Sequence, residues 1–299
     1  MWGPEVHRPS WDWVGFDVSR ALSQYYDIAV FNRATTAVPN CDLMVCIKDH
    51  PNPRLLEDVL AKKIKLLYCP VDRYEELDQI IHETNFLGQC HAVLVHSERL
   101  LPIFAPYCQM VEFVEHHNRF GLDGEAVYRP DGYVVWVGGM QHLPPVIKWL
   151  QKHPMGMEIK FVTNCAMASQ RPSRGVFQIV DSHEIINWTP RIQRDLMVGA
   201  KAAFDIKGDS FNQVYKPPVK AQQFVVSGIP FAANPESYSS EYFIARGFKV
   251  PSPLETEYWF SHDYWQETQK FRDDLRRKLS LENVGLVFKH VIDNALGIS

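Results

Sequence analysis

The chain has 299 residues, 46% of them hydrophobic and 22% charged, with a formal net charge of −4. This composition supplies proper cores and excludes a disordered chain, and the length suits two domains of roughly 100–200 residues each. Residues 1–130 hold 12 Lys and Arg against 18 Asp and Glu, a balance of −6, and the rest carries +2, which leans away from a nucleic-acid-binding surface.

Met1–Trp13 contains no hydrophobic run, so the first strand is expected to be absent or irregular. Ser10 is placed to cap a helix over Trp11–Ser23. Apolar runs predict strands at Tyr26–Phe31, Leu43–Ile47, Ile64–Cys69, His91–His96 and Val111–Val114. Between them, an amphipathic helix is predicted over Asp72–Phe86 and another, capped by Ser97, ends near Phe104. Strands alternating with helices over short connections predict a parallel, doubly wound α/β sheet. Its last strand ends in Glu115-His116-His117-Asn118. Ligands gather at the carboxyl ends of parallel strands, so one of these histidines reads as structural and the other as a residue facing the ligand side.

The six cysteines (Cys41, Cys46, Cys69, Cys90, Cys108 and Cys165) form no C-x-x-C pair and mostly sit in apolar runs, as buried thiols in a reducing compartment do. Cys90, His91, His96 and Cys108 match no zinc spacing, and no metal site is expected. No run of roughly 18 apolar residues and no basic-then-apolar leader occurs, which leads to the expectation of a cytoplasmic protein.

Gly121–Gly132, rich in Gly and Asp and containing Pro130, reads as a linker. Tyr133–Val137 then starts a second sheet and runs into Gly138-Gly139, which permits a ligand to approach the backbone closely. The spacing is not G-x-G-x-x-G, and no NAD site is predicted. A helix follows near Pro144-Pro145, and strands at Met157–Val162 and Val176–Val180. The first of these ends in Thr163-Asn164, polar groups able to meet a ribose or base. Trp188 reads by itself as core filler and precedes an amphipathic helix carrying Ile192, Leu196 and Met197.

The second half is organised around Ala200–Pro235. Ala202–Ile206 reads as a buried strand broken by Gly208-Asp209-Ser210. Pro217-Pro218 opens a helix that runs through Gln222, Phe224 and Val225 to Gly228, and Ile229–Ala233 is the next strand. A helix opening beyond a strand's carboxyl end offers free N–H groups and a positive dipole end. Lys216 and Lys220 add two cations there, which makes an anion site, most simply for phosphate. A helix from Pro235 to Ala245, a long one over Leu254–Leu279, and a last one capped by Ser280 and reaching Leu296 complete the chain.

The run YKPPVK, followed by a helix and SGIPFAANPES, resembles the donor-binding segment of GT-B glycosyltransferases, nearest to family 4; the likeness extends from Tyr133 to about Pro253. It implies an α/β fold of two Rossmann-like domains with parallel sheets facing each other across a cleft. Residues 1–125 would form the acceptor side, 131–280 the nucleotide-sugar domain, and 281–299 a helix packing back on the first domain. The implied activity is metal-independent, cofactor-free transfer of a sugar from a UDP- or GDP-sugar to an acceptor hydroxyl. A glycan, a lipid-linked sugar, a small metabolite or a modified DNA base would all serve as acceptor. Under this resemblance Lys216 and Lys220 stabilise the leaving diphosphate, and Gly138, Gly139, Asn164, Trp188, Ser210, Asn212, Tyr215 and Gln223 contact the donor. His117 is assigned a catalytic role, with His7 and Asp12 as other candidate bases.

Two departures accompany the likeness. Aligning on Gly228 puts Tyr215 and Gln223 where the family carries Glu-x7-Glu, so retention and inversion of sugar stereochemistry both stay open. Met140-Gln141-His142 follow the glycine pair where the family often has Arg or Lys. A non-catalytic nucleotide-binding module and a sugar-nucleotide epimerase of the same architecture are the alternatives.

Overall fold

The structure, a computed structural model, describes residues 1–4, 10–32, 34, 37–124, 127–164 and 183–298. The chain forms two compact units: Met1–His117 with Ser210–Pro217 and Lys278–Ser299, and Asn118–Asp209 with Pro218–Arg277.

The first unit is built on β1 (Trp2–Gly3), β2 (Phe31–Asn32), β3 (Leu43–Ile47), β4 (Lys65–Cys69), β5 (Ala92–Val95) and β6 (Val111–Phe113). They pair in the order β2-β1-β3-β4-β5-β6, all parallel. Successive residues of a strand point to opposite faces, so a sheet covered on both sides needs continuous apolar runs. Met44, Cys46, Leu66, Tyr68, Val93 and Val95 fill one core, while Val45, Ile47, Leu67, Cys69, Ala92 and Leu94 fill the other. Full burial of one such aliphatic side chain stabilises the fold by roughly 1.5–3 kcal/mol. The second core also takes Val284, Phe288, Val291 and Ile292 of the Leu281–Leu296 helix, which packs on the Val18–Leu22 helix. Ser280 caps that C-terminal helix by accepting from the Asn283 N–H.

The second unit carries β7 (Tyr133–Val137), β8 (Ile159–Thr163), β9 (Glu184–Asn187), β10 (Ala200–Asp205) and β11 (Phe231–Ala233). Their order is β11-β10-β7-β8-β9, again all parallel. The strand order reverses beside β7, between β8 on one flank and β10 on the other.

Several expectations are corrected. A first strand exists, but as the two residues Trp2–Gly3 it is too short to leave a hydrophobic signature. Tyr26–Phe31 is not a strand; only Phe31–Asn32 pairs, and the Tyr26 hydroxyl instead donates to Asp293 on the C-terminal helix. The expected helix from Trp11 is π-helical over Trp11–Asp17 before it becomes α-helical. Asp72–Phe86 holds two short helices, Leu77–His82 and Thr84–Leu87, and the Leu254–Leu279 span holds Thr256–Trp259 and His262–Lys278. Gly121–Gly132 is no free linker: the Leu122 N–H donates to Ser227 Oγ and its carbonyl accepts from Arg276, which ties the segment to the second unit. Ser210–Pro217 groups with the first unit because Phe211 and Tyr215 pack on its core. The predicted strand Val176–Val180, Cys165 and His7 lie outside the described residues.

Candidate functional site

In open parallel sheets the binding crevice lies at the carboxyl edge where strand order reverses, because loops from the two central strands diverge there. In the second unit this point is the end of β7 beside β10. Trp136 and Gly138 stand on one side, Asp205 and Lys207 on the other. Asp205 is buried at the last position of β10. Lys207 Nζ lies 2.6 Å from Asp205 Oδ2, and Lys220 Nζ lies 3.6 Å from Oδ1. The Trp136 indole N–H donates to Oδ1 at 3.1 Å. Burial alone would raise the Asp205 pKa, yet the charges of Lys207 and Lys220 and the hydrogen bonds of Lys207 and Trp136 hold it down at about 2. Lys220 Nζ also sits 4.5 Å from the Trp136 ring centre, a cation–π contact. It fills the space over Gly138, where a Cβ would come within 2.4 Å of it. The Lys207 backbone is fixed on both sides by Asn234, whose amide accepts from the Lys207 N–H and donates to its carbonyl.

Lys220 rides on the first turn of the Val219–Val226 helix. Pro217 and Pro218 carry no N–H, and the first N–H groups of this helix point out of its N-terminus, adding partial positive charge. Gly228, at φ 72°, ends the helix as a left-handed cap. Nearby loops are tied together: the Met140 N–H donates to Asn164 Oδ1 at 3.0 Å. Gln223 is buried at the end of a relay in which Trp188 Nε1 donates to Gln193 Oε1 and Gln193 Nε2 donates to Gln223 Oε1.

The first unit has its own polar cluster at the carboxyl ends of its strands. Lys48 and Val71 adopt φ of 64° and 55°, strained for a β-branched valine, and such strain collects at functional positions. Lys48 Nζ pairs with Asp72 at 2.7 Å. Burial pushes the Asp72 pKa up, but Lys48 and Lys216 bring it below its ordinary value. Lys216 lines a small cavity with Val71, Asp72, Phe211, Asn212 and Tyr215. Ser210 is exposed at the start of the short Phe211–Val214 helix, whose last carbonyl accepts from Arg99.

Beyond β5 and β6 lie three histidines. His96 Nδ1 is 2.7 Å from the Val114 carbonyl, and the His96 and His116 rings are 4.1 Å apart. Burial lowers the His96 pKa to about 4 and that of His116 well below the usual range, and neighbouring His96, His117 and Lys216 depress His116 further. His117 Nε2 lies 3.1 Å from Asp17 Oδ2, and the His117 carbonyl accepts from Trp13 Nε1. His117 is thereby paired with a carboxylate from the end of the π-helical segment; Asp12 lies at its start.

Thus the expected site residues fall into separate groups. Asn212, Tyr215 and Lys216 belong to the first unit with His117; Gly138, Gly139, Asn164, Trp188, Lys220 and Gln223 belong to the second. Sequence reasoning missed Asp205 and Lys207, although an Asp closing an otherwise apolar strand was a usable signal. Among the described residues, no group of three or more His, Cys, Asp or Glu side chains is arranged to hold a metal ion.

No protein-family model and no curated protein matches the chain. Solved structures do. HepE of Anabaena, solved in complex with UDP, matches with a TM-score of 0.64 at 9% identity, over 98% of this chain and 99% of its own. AviGT4, a glycosyltransferase involved in avilamycin A biosynthesis, matches with a TM-score of 0.59 at 8% identity, over 98% and 91%. BGT of phage T4, in complex with UDP and Mn2+, matches with a TM-score of 0.52 at 12% identity, over 94% and 93%. The chain spans 57% of the matched chain of the GtfA/B complex. The fold is that of the GT-B glycosyltransferases.

Proposed function

We propose that this chain is a glycosyltransferase that moves a sugar from a nucleoside-diphosphate sugar to an acceptor hydroxyl, with the donor diphosphate held in the second unit. The observation that carries this reading is the convergence of Lys207 and Lys220 on the strand-order reversal, over a glycine that leaves the backbone bare. The fold shared with AviGT4, and the UDP in the HepE and T4 BGT structures, support it.

In this mechanism the bond between sugar and β-phosphate breaks and negative charge grows on the leaving diphosphate. Lys220, Lys207 and the N–H groups of the Val219–Val226 helix stabilise that charge, and Lys216 contributes from the preceding segment. Donors aimed at developing charge are usually the largest catalytic term, each worth about 3–4 kcal/mol. His117, oriented by Asp17, takes the proton of the acceptor hydroxyl. Tyr215 and Gln223 supply no carboxylate, and the stereochemical course is left to product analysis. No metal is assigned to the leaving group. Turnover that survives EDTA supports this assignment, and turnover lost to EDTA and restored by Mn2+ moves the role to a metal.

A second reading, a nucleotide-binding module without turnover, is favoured by Gln223, whose carbonyl is engaged by Gln193. One experiment separates the readings: thermal-shift screening with UDP, GDP and ADP, then turnover of the matching nucleotide sugars. Ligand at a hundredfold its Kd stabilises by about 2.7 kcal/mol, a readily measured shift. Binding with sugar release or transfer supports the transferase, and binding alone supports the module. A new sugar nucleotide formed without acceptor identifies an epimerase, and no nucleotide binding at all removes the donor site.

A further inference from the structure

Two half-buried ammonium groups held close together repel each other unless a counter-charge stands between them. Asp205 is that counter-charge. Its two oxygens divide the work, Oδ2 facing Lys207 at 2.6 Å and Oδ1 facing Lys220 at 3.6 Å, and the Trp136 indole N–H fixes the carboxylate plane. The carboxylate is 2% exposed and closes β10, so it cannot swing away. A ligand diphosphate approaching the bare backbone of Gly138 meets Lys220 first, since Lys220 Nζ occupies the space over that glycine.

We infer that Asp205 is a positioning residue that acts as the resident anion of the donor site: it holds Lys207 and Lys220 aimed at the strand-order reversal, and it competes with the donor diphosphate for them. The inference rests on the donor reading above and adds a sign to it. The triad carries a net charge of +1 with Asp205 and +2 without it. An Asp205→Asn variant keeps the size of the side chain, still offers an oxygen to Trp136 and removes the competing charge; its NH2 then faces Lys207, which loses an acceptor and must shift. The pair then lacks the Asp205 charge, and the diphosphate meets less competition for it.

The experiment is UDP titration by calorimetry together with thermal unfolding, on the full chain. Asp205→Asn is expected to lower the Tm of the empty protein by roughly 5–15 °C, because one member of a buried ion cluster has been removed. At the same time it should bind UDP at least about threefold more tightly than the parent, since an opposing charge near the diphosphate is gone. A residue that merely supports the fold would weaken binding along with stability. Should the single variant fail to fold, the same comparison is made between Lys207→Gln and the double variant Lys207→Gln, Asp205→Asn, in which both partners of the 2.6 Å pair are replaced by neutral groups. There the double variant should bind UDP more tightly than Lys207→Gln alone. Equal or weaker UDP binding on removal of the Asp205 charge, in either background, overturns the inference. Failure of the parent protein to bind UDP, GDP or ADP instead overturns the donor reading on which it stands.

Discussion

Adding one carbon at Gly138 tests the geometry of the proposed donor site most directly. A Cβ there would lie 2.4 Å from Lys220 Nζ and 2.7 Å from two atoms of the Trp136 ring. Gly138 does not adopt a positive φ, so Gly138→Ala adds no backbone strain. The Trp136 ring is fully buried and bonded to Asp205, whereas Lys220 is the end of a flexible chain, so the lysine yields. Reaching ordinary contact moves Nζ by about 1 Å. A misplacement of that size costs about a hundredfold in rate, about 2.7 kcal/mol of transition-state stabilisation. The overlap with Trp136 costs about 1–3 kcal/mol of stability, a few degrees in Tm. The neighbouring glycine is the comparison: the atoms nearest a Cβ on Gly139 are the side-chain end of the exposed Gln141, and its backbone is already extended, so Gly139→Ala should change turnover by no more than about twofold unless, as the resemblance implies, Gly139 itself touches the donor. The assay is kcat/KM for donor turnover in Gly138→Ala, Lys220→Met and the double variant, with Tm measured alongside. If the effect runs through Lys220, the double variant is no worse than Lys220→Met. A folded Gly138→Ala with parental turnover, or losses that simply add, refutes the reasoning.

Three further predictions concern the first unit. Lys216→Ala should lower turnover at least about a hundredfold with the fold intact, the scale of one lost charge-stabilising donor; unchanged turnover removes Lys216 from the mechanism. Asp17→Asn should lower kcat and shift the pH dependence of kcat/KM, because His117 loses the carboxylate 3.1 Å from its Nε2; an unaltered pH profile at lowered activity would make Asp17 merely structural. Buried His96 has a folded pKa of about 4 against 6.5 when unfolded. The unfolded chain therefore binds the extra proton between those values, and stability is complete above pH 6.5 and falls toward pH 4 by up to about 3 kcal/mol. His96→Asn should flatten that part of the Tm–pH curve.

What could be read without coordinates follows the physics of each element. YVVWV at β7 and LLYC within β4 were legible because a strand covered on both faces must be apolar at every position. Helices beginning at Pro53, Pro190 and Leu281 were marked or markable by Asn52, Thr189 and Ser280, each of which accepts an N–H of the first turn. By contrast, β1 owes its place to pairing with β2 and β3 rather than to its two residues, and β9 (EIIN) is too short for alternation to speak. At the site, Gly138 and Lys220 were legible as a bare turn and a helix-start cation. Asp205 left a signal, an acid closing an apolar strand, but its role and that of Lys207 were not legible, because burial and partners decide what a charge does, and those partners lie on other elements. Tyr215 illustrates the same limit: aligned as a donor contact, it packs by its ring against Phe211, 4.5 Å away, on the first unit's core.

Lysine, carboxylate, lysine recurs at the carboxyl edge of both sheets: Lys48 and Lys216 about Asp72, Lys207 and Lys220 about Asp205. YKPPVK lends one lysine to each, and the proline pair between them has fixed φ and no N–H to place in either cluster. Each lysine of the motif therefore already has a counter-charge within its own unit. An incoming anion does not fill an empty socket; it competes with a fixed carboxylate for the lysines. A monovalent anion brings no more charge than the carboxylate it competes with, and it gives up its hydration to do so. A diphosphate brings two or three charges on rigidly linked groups and can engage several donors at once. Pyrophosphate should therefore raise the Tm, while chloride or acetate at matched ionic strength should leave it where screening alone puts it. An equal shift from all three would mean that the lysines answer to salt and not to a diphosphate, and the phosphate reading of this motif would fall.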